Sequence, residues 1–110
     1  FNRYKNSNLE DQTRAANFIE ARTRRFAPRR VVGGRYFLYG FRNFPVEVVW
    51  TGGDDMRSLN RLYPIFPFDF VVIHRSSPMR FDLRKDPRYE WVNAEEGQAV
   101  EFQIYRRVAP

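Results

Sequence analysis

The feature that most constrains the fold of this chain is a short apolar run in its second half. Residues 67–75 have the sequence PFDFVVIHR, and apolar side chains fill most positions between the proline and the only histidine, His74. A strand with one face in water alternates apolar and polar residues, whereas a strand covered on both faces does not. The run therefore predicts a short central strand of the parallel type, buried on both faces.

Length and composition predict one domain. The 110 residues are enough for one hydrophobic core but not for two. Hydrophobic residues make up 43% of the chain and aromatic residues 17%, which excludes a disordered tail. The predicted domain spans residues 1–110, with residues 1–7 as a linker-like leader. The chain has no cysteine, which excludes disulfides and thiolate metal sites.

The sequence contains no run of roughly 18 to 20 apolar residues that would cross a bilayer, and no signal peptide. We therefore expect the chain as given to be soluble. It does not begin with methionine, which is consistent with a processed product or with a piece of a longer protein.

The first predicted element is a helix. Apolar and small side chains recur on one helical face over residues 9–24, while most charged side chains lie away from it. Ser7 and Glu10 have the spacing of a capping box that would begin this helix, with Asn8 as a rival cap. Pro28 would end it.

Two short strands follow, separated by an ambiguous aromatic segment. Residues 30–33 and residues 46–51 predict strands, the second because it is rich in β-branched side chains. Residues 35–41 fit either a strand or a short helix, and we prefer the helix because a double glycine precedes a compact aromatic segment. A helix there would make the two flanking strands parallel.

The rest of the chain predicts two short helices and a hairpin. Asp54 is placed to cap a helix over residues 55–63, and a second helix over residues 79–85 follows the central strand. Residues 89–94 and 99–107 predict an antiparallel hairpin across an acidic turn. Alternating polar residues in the last strand predict one wet face and a place near the sheet edge.

The alternation of strands and helices is typical of βαβ units with right-handed crossovers. The predicted fold class is α/β, with a small mixed, mainly parallel sheet of about five strands, flanking helices and a C-terminal antiparallel hairpin. In such a sheet, ligands bind where the carboxyl ends of the parallel strands meet.

Glycine, serine and charged residues follow three of the predicted strands. Glycines permit close backbone approach, a helix N-terminus offers amide donors, and an arginine at position 75 would clamp an anion. The predicted ligand rim consists of Gly33, Gly34, Gly52, Gly53, Asp54, Asp55, His74, Arg75 and Ser76. The structural alternative is that each glycine pair turns the chain and each Asp or Ser caps a helix.

No catalytic residue, metal site or cofactor is predicted. His74 has no catalytic partner that the sequence identifies. Asp54 and Asp55 lack the third ligand that a cation site would need. The chain also contains no GxGxxG, Walker, HExxH, GxSxG or zinc pattern.

The chain is strongly basic, and most of its cations are arginines. Its 19 basic and 13 acidic residues give a formal charge of +6, and 17 of the 19 are arginine. This favours phosphates, nucleic acid or an anionic membrane surface, although a GC-rich genome would produce the same arginine excess. The predicted anionic-surface contacts are Arg22, Arg24, Arg25, Arg29 and Arg30. No RNP-like or helix-turn-helix pattern accompanies them, which disfavours nucleic acid.

Five segments of the chain together resemble a known type of domain. They are AANFIEART at residues 15–23, RVVGGRYFLYG at 30–40, FDFVVIH at 68–74, DLRKDPRYEWV at 82–92 and FQIYRR at 102–107. In their order and residue types they are similar to the small soluble domain at the C-terminal end of many polytopic membrane glycosyltransferases. These are the polyprenyl-phosphate-sugar-dependent enzymes of the mannosyltransferase-like family.

The resemblance implies a noncatalytic accessory domain on the extracytoplasmic (periplasmic) face of a membrane. Its partner would be a membrane-embedded protein or an anionic membrane surface. No catalytic residue carries over, because the family's catalytic acidic residues lie in the membrane core, so we expect no activity in this chain alone. Three alternatives stay open: a small basic binding module for nucleic acid or a phosphorylated ligand, an independent subunit of a larger protein complex, and, least favoured, an enzyme that uses the predicted ligand rim.

Overall fold

The computed structural model describes residues 2–23, 29–33, 46–49, 55–97 and 100–109, with side chains described at 10–21, 30–33, 49, 55–97 and 100–109. The elements in chain order are α1 (Asn2–Thr23), β1 (Arg29–Gly33), β2 (Val46–Val49), α2 (Met56–Leu62), β3 (Phe70–His74), α3 (Met79–Lys85), β4 (Tyr89–Trp91), a 3-10 helix (Ala94–Glu96) and β5 (Phe102–Arg107). The predicted α/β class is confirmed, and α3 has the bounds that the sequence predicts.

The described strands form one mixed sheet in the order β2, β1, β3, β5, β4. β1 pairs in parallel with β2 and with β3, whereas β5 pairs antiparallel with β3 and with β4. The prediction of a mainly parallel sheet is therefore wrong. The chain crosses over through α3, so β4 runs parallel to β3 but lies two positions away in the sheet. β5 then returns antiparallel and fills the position between β3 and β4.

The central strand predicted from the apolar run is confirmed as β3. Phe70 is 2% exposed, and Val71, Val72 and Ile73 are fully buried. Phe70 and Val72 pack on the side of the sheet that α1 covers, while Val71 and Ile73 pack on the opposite side. Burying such a side chain stabilises the fold by about 1.5–3 kcal/mol. Because its side chains are buried on both faces of the sheet, this strand joins the two halves of the core.

Helices cover both faces of the sheet. On one face α1 packs through Ala15 and Ile19. On the other, α2 contributes Leu59 and α3 contributes Leu83. Met56, Leu59 and Leu62 recur at the helical spacing that predicts an inward face, and Met56 and Leu62 are partly buried beside Leu59.

Two predicted helix starts are wrong. The α1 helix begins at Asn2, so residues 2–7 are helical and not a linker-like leader, and Ser7, Asn8 and Glu10 lie inside the helix instead of capping it. No glycine or proline interrupts residues 2–9, so a helix can extend through them. The cap of α2 is Asp55, whose side chain accepts a hydrogen bond from the Ser58 N–H at 2.8 Å. Asp54 lies outside the described residues.

The prediction that one face of the last strand is exposed to solvent is also wrong. Gln103 is 1% exposed and Tyr105 is fully buried, because β4 rather than β5 forms this edge of the sheet. Arg84 donates to the Gln103 side-chain oxygen at 3.0 Å and to the Tyr105 hydroxyl at 3.2 Å, and the Tyr105 hydroxyl donates to Gln103 at 2.7 Å. Polar side chains are tolerated inside the sheet because they are hydrogen-bonded to one another.

The predictions for residues 35–41 and for the Gly52–Gly53 turn lie outside the described residues. The pairing that the helical interpretation of residues 35–41 predicts is nevertheless present, since β1 and β2 are parallel. The predicted C-terminal antiparallel pair is present as β4 and β5, joined through the 3-10 helix.

Candidate functional site

The topology gives the sheet two ends with different chemistry. Because β1, β2 and β3 are parallel, their carboxyl ends lie together at one end of the sheet. We call this end the upper edge. The opposite end, where β3 begins and β5 finishes, is the lower edge.

The predicted ligand rim lies at the upper edge where it is described. Gly33 ends β1 but is buried and paired with Val72, so its backbone is occupied by the sheet. Asp55 caps α2, and the hydrogen bonds from Ser58 lower the pKa of its carboxyl group. His74, Arg75 and Ser76 lie together in the turn after β3. The rim residues outside the described part of the chain are Gly34, Gly52, Gly53 and Asp54.

His74 has two side-chain partners that the sequence did not identify. Its Nε2 lies 2.5 Å from Oε1 of Glu101, and its Nδ1 lies 2.6 Å from the Ser76 hydroxyl oxygen. The Ser76 backbone N–H also donates to Nδ1, at 3.1 Å. An Nδ1 that accepts from Ser76 leaves the proton on Nε2, which donates it to Glu101.

No local sequence signal connects His74 with Glu101. The two residues are 27 positions apart, and they meet because β3 and β5 pair with His74 opposite Phe102. Glu101 also lies 3.7 Å from the Arg75 guanidinium, so one carboxylate contacts both the imidazole and the arginine of this turn.

The Ser76 hydroxyl, the His74 imidazole and the Glu101 carboxylate are the residue types of a hydrolase triad. Such a site also needs backbone N–H groups directed at a developing oxyanion. Here the Arg75 N–H is bonded to the Glu101 carbonyl and the Ser77 N–H to the His74 carbonyl, each at 2.9 Å, and the Ser76 N–H is bonded to the imidazole. These contacts tie the turn to the start of β5 and do not form an oxyanion hole.

Carboxylates outnumber arginines among the described side chains of the upper edge. The acidic members are Glu10, Asp11, Asp55, Glu95, Glu96 and Glu101, and the basic members are Arg14, Arg57, Arg75 and Arg80. Partial burial and the nearby Glu101 carboxylate raise the pKa of Asp11, which places the amino-terminal half of α1 beside this edge. An anionic ligand here would compete with Glu101 for His74 and Arg75.

The lower edge has the opposite sign. Its described basic side chains are Arg30, Arg61, Lys85, Arg88, Arg106 and Arg107, and its acidic side chains are Asp69, Asp86 and Glu90. All three carboxylates have partners within the fold, and Glu90 lies 3.4 Å from the Arg106 guanidinium. Asp69 accepts from the Arg30 N–H at 3.2 Å, while Asp86 pairs with Arg88 at 2.6 Å, and the hydrogen bonds from Arg88 lower the pKa of Asp86.

One of the predicted anionic-surface arginines has a described side chain, Arg30, and it lies at the lower edge. Arg29 precedes it in β1, and Arg22 lies near the carboxyl end of α1. Arg24 and Arg25 lie outside the described residues.

An apolar side chain projects from the lower edge at the turn of residues 63–67, which we call the YPIFP turn. Ile65 is 83% exposed there. On either side of it, Arg107 stacks on the Tyr63 ring at 3.9 Å and Arg30 lies over the Phe66 ring at 5.0 Å. Sequence reasoning treated this segment only as a connection, although uncharged apolar and proline residues fill it.

Among the described residues, no three His, Asp or Glu side chains converge to hold a metal ion. None of the helices in the described part of the chain is both long and apolar enough to cross a membrane.

Comparison of the chain with protein-family models, with curated proteins and with solved structures gave no match. The described residues form a small α/β domain in which carboxylates predominate at the upper edge and cations at the lower edge.

Proposed function

We propose that this chain is a noncatalytic accessory domain on the extracytoplasmic face of a membrane, where it is associated with a membrane-embedded glycosyltransferase or a related membrane assembly. The observation that carries the proposal is the separation of charge between the two edges of the sheet. An anionic membrane surface would attract the lower edge and repel the upper one.

The resemblance to glycosyltransferase tails supports the same proposal. Its segments supply β1 and β3, the last strand β5, and the end of α3 with β4. These are neighbouring elements of one sheet, so the resemblance concerns the domain as a whole and not one loop. The resemblance suggests where such a domain is located. A reaction, by contrast, would have to be inferred from the residues of a site.

Electrostatic attraction of the required size is available at the lower edge. A basic side chain close to an anionic leaflet contributes about 1 kcal/mol. Arg61 and Lys85 are exposed, and Asp69 and Asp86 are held by internal hydrogen bonds. Several such cations on one edge would give reversible, salt-sensitive attachment.

Vesicle co-sedimentation tests the membrane part of the proposal. We expect the domain to bind phosphatidylglycerol-containing vesicles, to release them as salt is raised, and not to bind vesicles of phosphatidylcholine alone. Failure to bind the anionic vesicles at low salt would contradict the membrane part. Single-stranded RNA is the comparison ligand: affinity for RNA at physiological salt without vesicle binding would support the nucleic-acid alternative.

The glycosyltransferase part is tested by the precursor and by its neighbours in the membrane. We expect the precursor sequence, or a partner co-purified from membranes in detergent, to contain several hydrophobic segments, each of about 20 residues. A precursor without such segments and without a membrane partner would contradict this part, and would favour an independent subunit of a larger complex.

A further inference from the structure

We propose that the YPIFP turn inserts Ile65 into the interfacial region of an anionic bilayer, with the exposed Arg61 beside it on the lipid phosphates. This inference rests on the proposed membrane location and adds to it the residue that enters the bilayer. The lower edge would then attach by an apolar contact as well as by charge.

The turn is held in shape before any membrane contact. The N–H groups of Ile65 and Phe66 both donate to the Leu62 carbonyl, at 2.9 and 2.8 Å. Tyr63 packs edge-on against Phe68, with ring centroids 5.2 Å apart, and Phe68 is buried in the core. A preformed turn loses little conformational freedom on binding. Little of the free energy gained by burying the exposed isoleucine is therefore lost in ordering the turn, which favours insertion.

The surroundings of Ile65 match a lipid headgroup layer. Its neighbours Tyr63 and Phe66 are aromatic, and each has a guanidinium stacked on it, from Arg107 and from Arg30. Aromatic rings concentrate at the membrane interface, and arginines extend their charged groups to the phosphates there. Arg61 in the last turn of α2 adds an exposed cation beside the turn.

A protein partner fits this surface less well. A stable protein interface buries about 800 Å² on each side, and its centre is depleted of charged residues. Here one exposed isoleucine stands among cations instead of lying in an apolar groove. Reversible membrane attachment, by contrast, needs only a modest buried apolar area together with a basic patch.

The absence of cysteine from the chain permits a clean labelling experiment. Ile65→Cys is labelled with an environment-sensitive fluorophore, and Glu95→Cys, an exposed position at the upper edge, is the matched control. With phosphatidylglycerol-containing vesicles we expect the label at position 65 to shift to the blue and to be quenched by spin-labelled lipid. The label at position 95 should do neither.

A second variant measures how much the side chain contributes. Ile65→Ser should lower the partition coefficient on the anionic vesicles about tenfold, since it removes one buried apolar side chain. Because Ile65 is exposed, the substitution should leave the thermal unfolding midpoint of the free domain unchanged.

The outcomes separate this inference from the proposed function. Vesicle binding with an unchanged label at position 65 would overturn insertion and leave electrostatic attachment in place. Equal responses of the labels at positions 65 and 95 would show that the lower edge does not face the bilayer preferentially, and would overturn the proposed orientation of the domain. A concentration-dependent shift without lipid would assign the turn to self-association and overturn the inference. No vesicle binding by the unmodified domain would defeat both proposals.

Discussion

The upper and lower edges of the sheet are built from similar residue types but use them differently. At the upper edge, one carboxylate, Glu101, contacts both His74 and Arg75. At the lower edge, arginines stack on aromatic rings around an exposed isoleucine, while the carboxylates have partners within the fold.

This difference bears on which edge of the sheet we propose as the contact with a partner. The carboxyl ends of parallel strands are the usual ligand site, and in this protein they form the upper edge. The contacts there connect elements of the fold to one another. The lower edge instead presents its charge and an apolar side chain outwards, which is why we assign the partner to it.

The largest expected effect is on vesicle affinity when the charge of the lower edge is reversed. The double variant Arg61→Glu with Lys85→Glu should bind anionic vesicles at least about thirtyfold more weakly, because two cations of about 1 kcal/mol each are lost and replaced by anions. Arg14→Glu with Arg57→Glu makes the same change in net charge at the upper edge. Similar losses for both pairs would show that net charge, and not the lower edge, determines binding.

Arg107→Ala should cause the largest loss of stability among exposed or half-buried arginines of the two edges. Its guanidinium lies over the rings of Tyr63 and Tyr89 and donates to the Tyr89 hydroxyl at 2.8 Å, so we expect a loss of about 2 kcal/mol in urea unfolding. Arg75→Ala, at the half-exposed upper-edge position, should cost less than about 1 kcal/mol. An equal loss of stability for Arg107→Ala and Arg75→Ala would contradict our distinction between an arginine that packs on aromatic rings and one that forms an exposed ion pair.

Asp86 should make the stability of the lower edge depend on pH. Its pKa is lowered in the folded state by Arg88, so its contribution is complete above the unfolded pKa of about 3.9 and is lost as the pH falls below it. Asp86→Asn should cost about 1.5 kcal/mol at neutral pH and flatten that part of the acid-unfolding curve. A curve that keeps its full slope would exclude Asp86 as the origin of the pH dependence.

His74→Ala should destabilise the fold by about 1 kcal/mol, because it removes the contacts with Glu101 and Ser76 at a partly exposed site. It should leave vesicle binding unchanged, since the upper edge is not the proposed contact. Urea unfolding and co-sedimentation of the same variant measure both quantities. Weaker vesicle binding by a stably folded His74→Ala protein would give the upper edge a part in attachment.

The smallest effect is expected at Asp11, and it has the opposite sign from that at Asp86. Partial burial and the Glu101 carboxylate raise its pKa, so ionised Asp11 disfavours the folded state above that raised pKa. The penalty disappears as the pH falls towards the unfolded value. Asp11→Asn should therefore stabilise the domain at neutral pH by up to about 0.5 kcal/mol in urea unfolding. Destabilisation would mean that its attraction to Arg14 and Arg75 dominates.

Local sequence patterns predicted most of the secondary structure that is described. The unbroken apolar run predicted β3 and its burial on both faces, because the two-residue period of a strand is visible in a few neighbouring residues. The bounds of α3 and the inward face of α2 follow from the helical period in the same way. The anionic contact expected from the arginines near the start of β1 stays a prediction.

Strand order and side-chain partners were decided by the tertiary structure. The alternation in β5 predicted a wet face, but β4 extends the sheet beyond it, and Arg84 comes from α3 to satisfy Gln103 and Tyr105. The pairing of His74 with Glu101 depends on the register of β3 and β5, and the lower edge assembles residues from position 30 to position 107. Periodicity is a local property of the chain, whereas pairing depends on contacts between distant segments. The sequence by itself therefore determined most of the strands and helices that are described, and only the tertiary structure decided which of the described charges are paired within the fold and which are exposed.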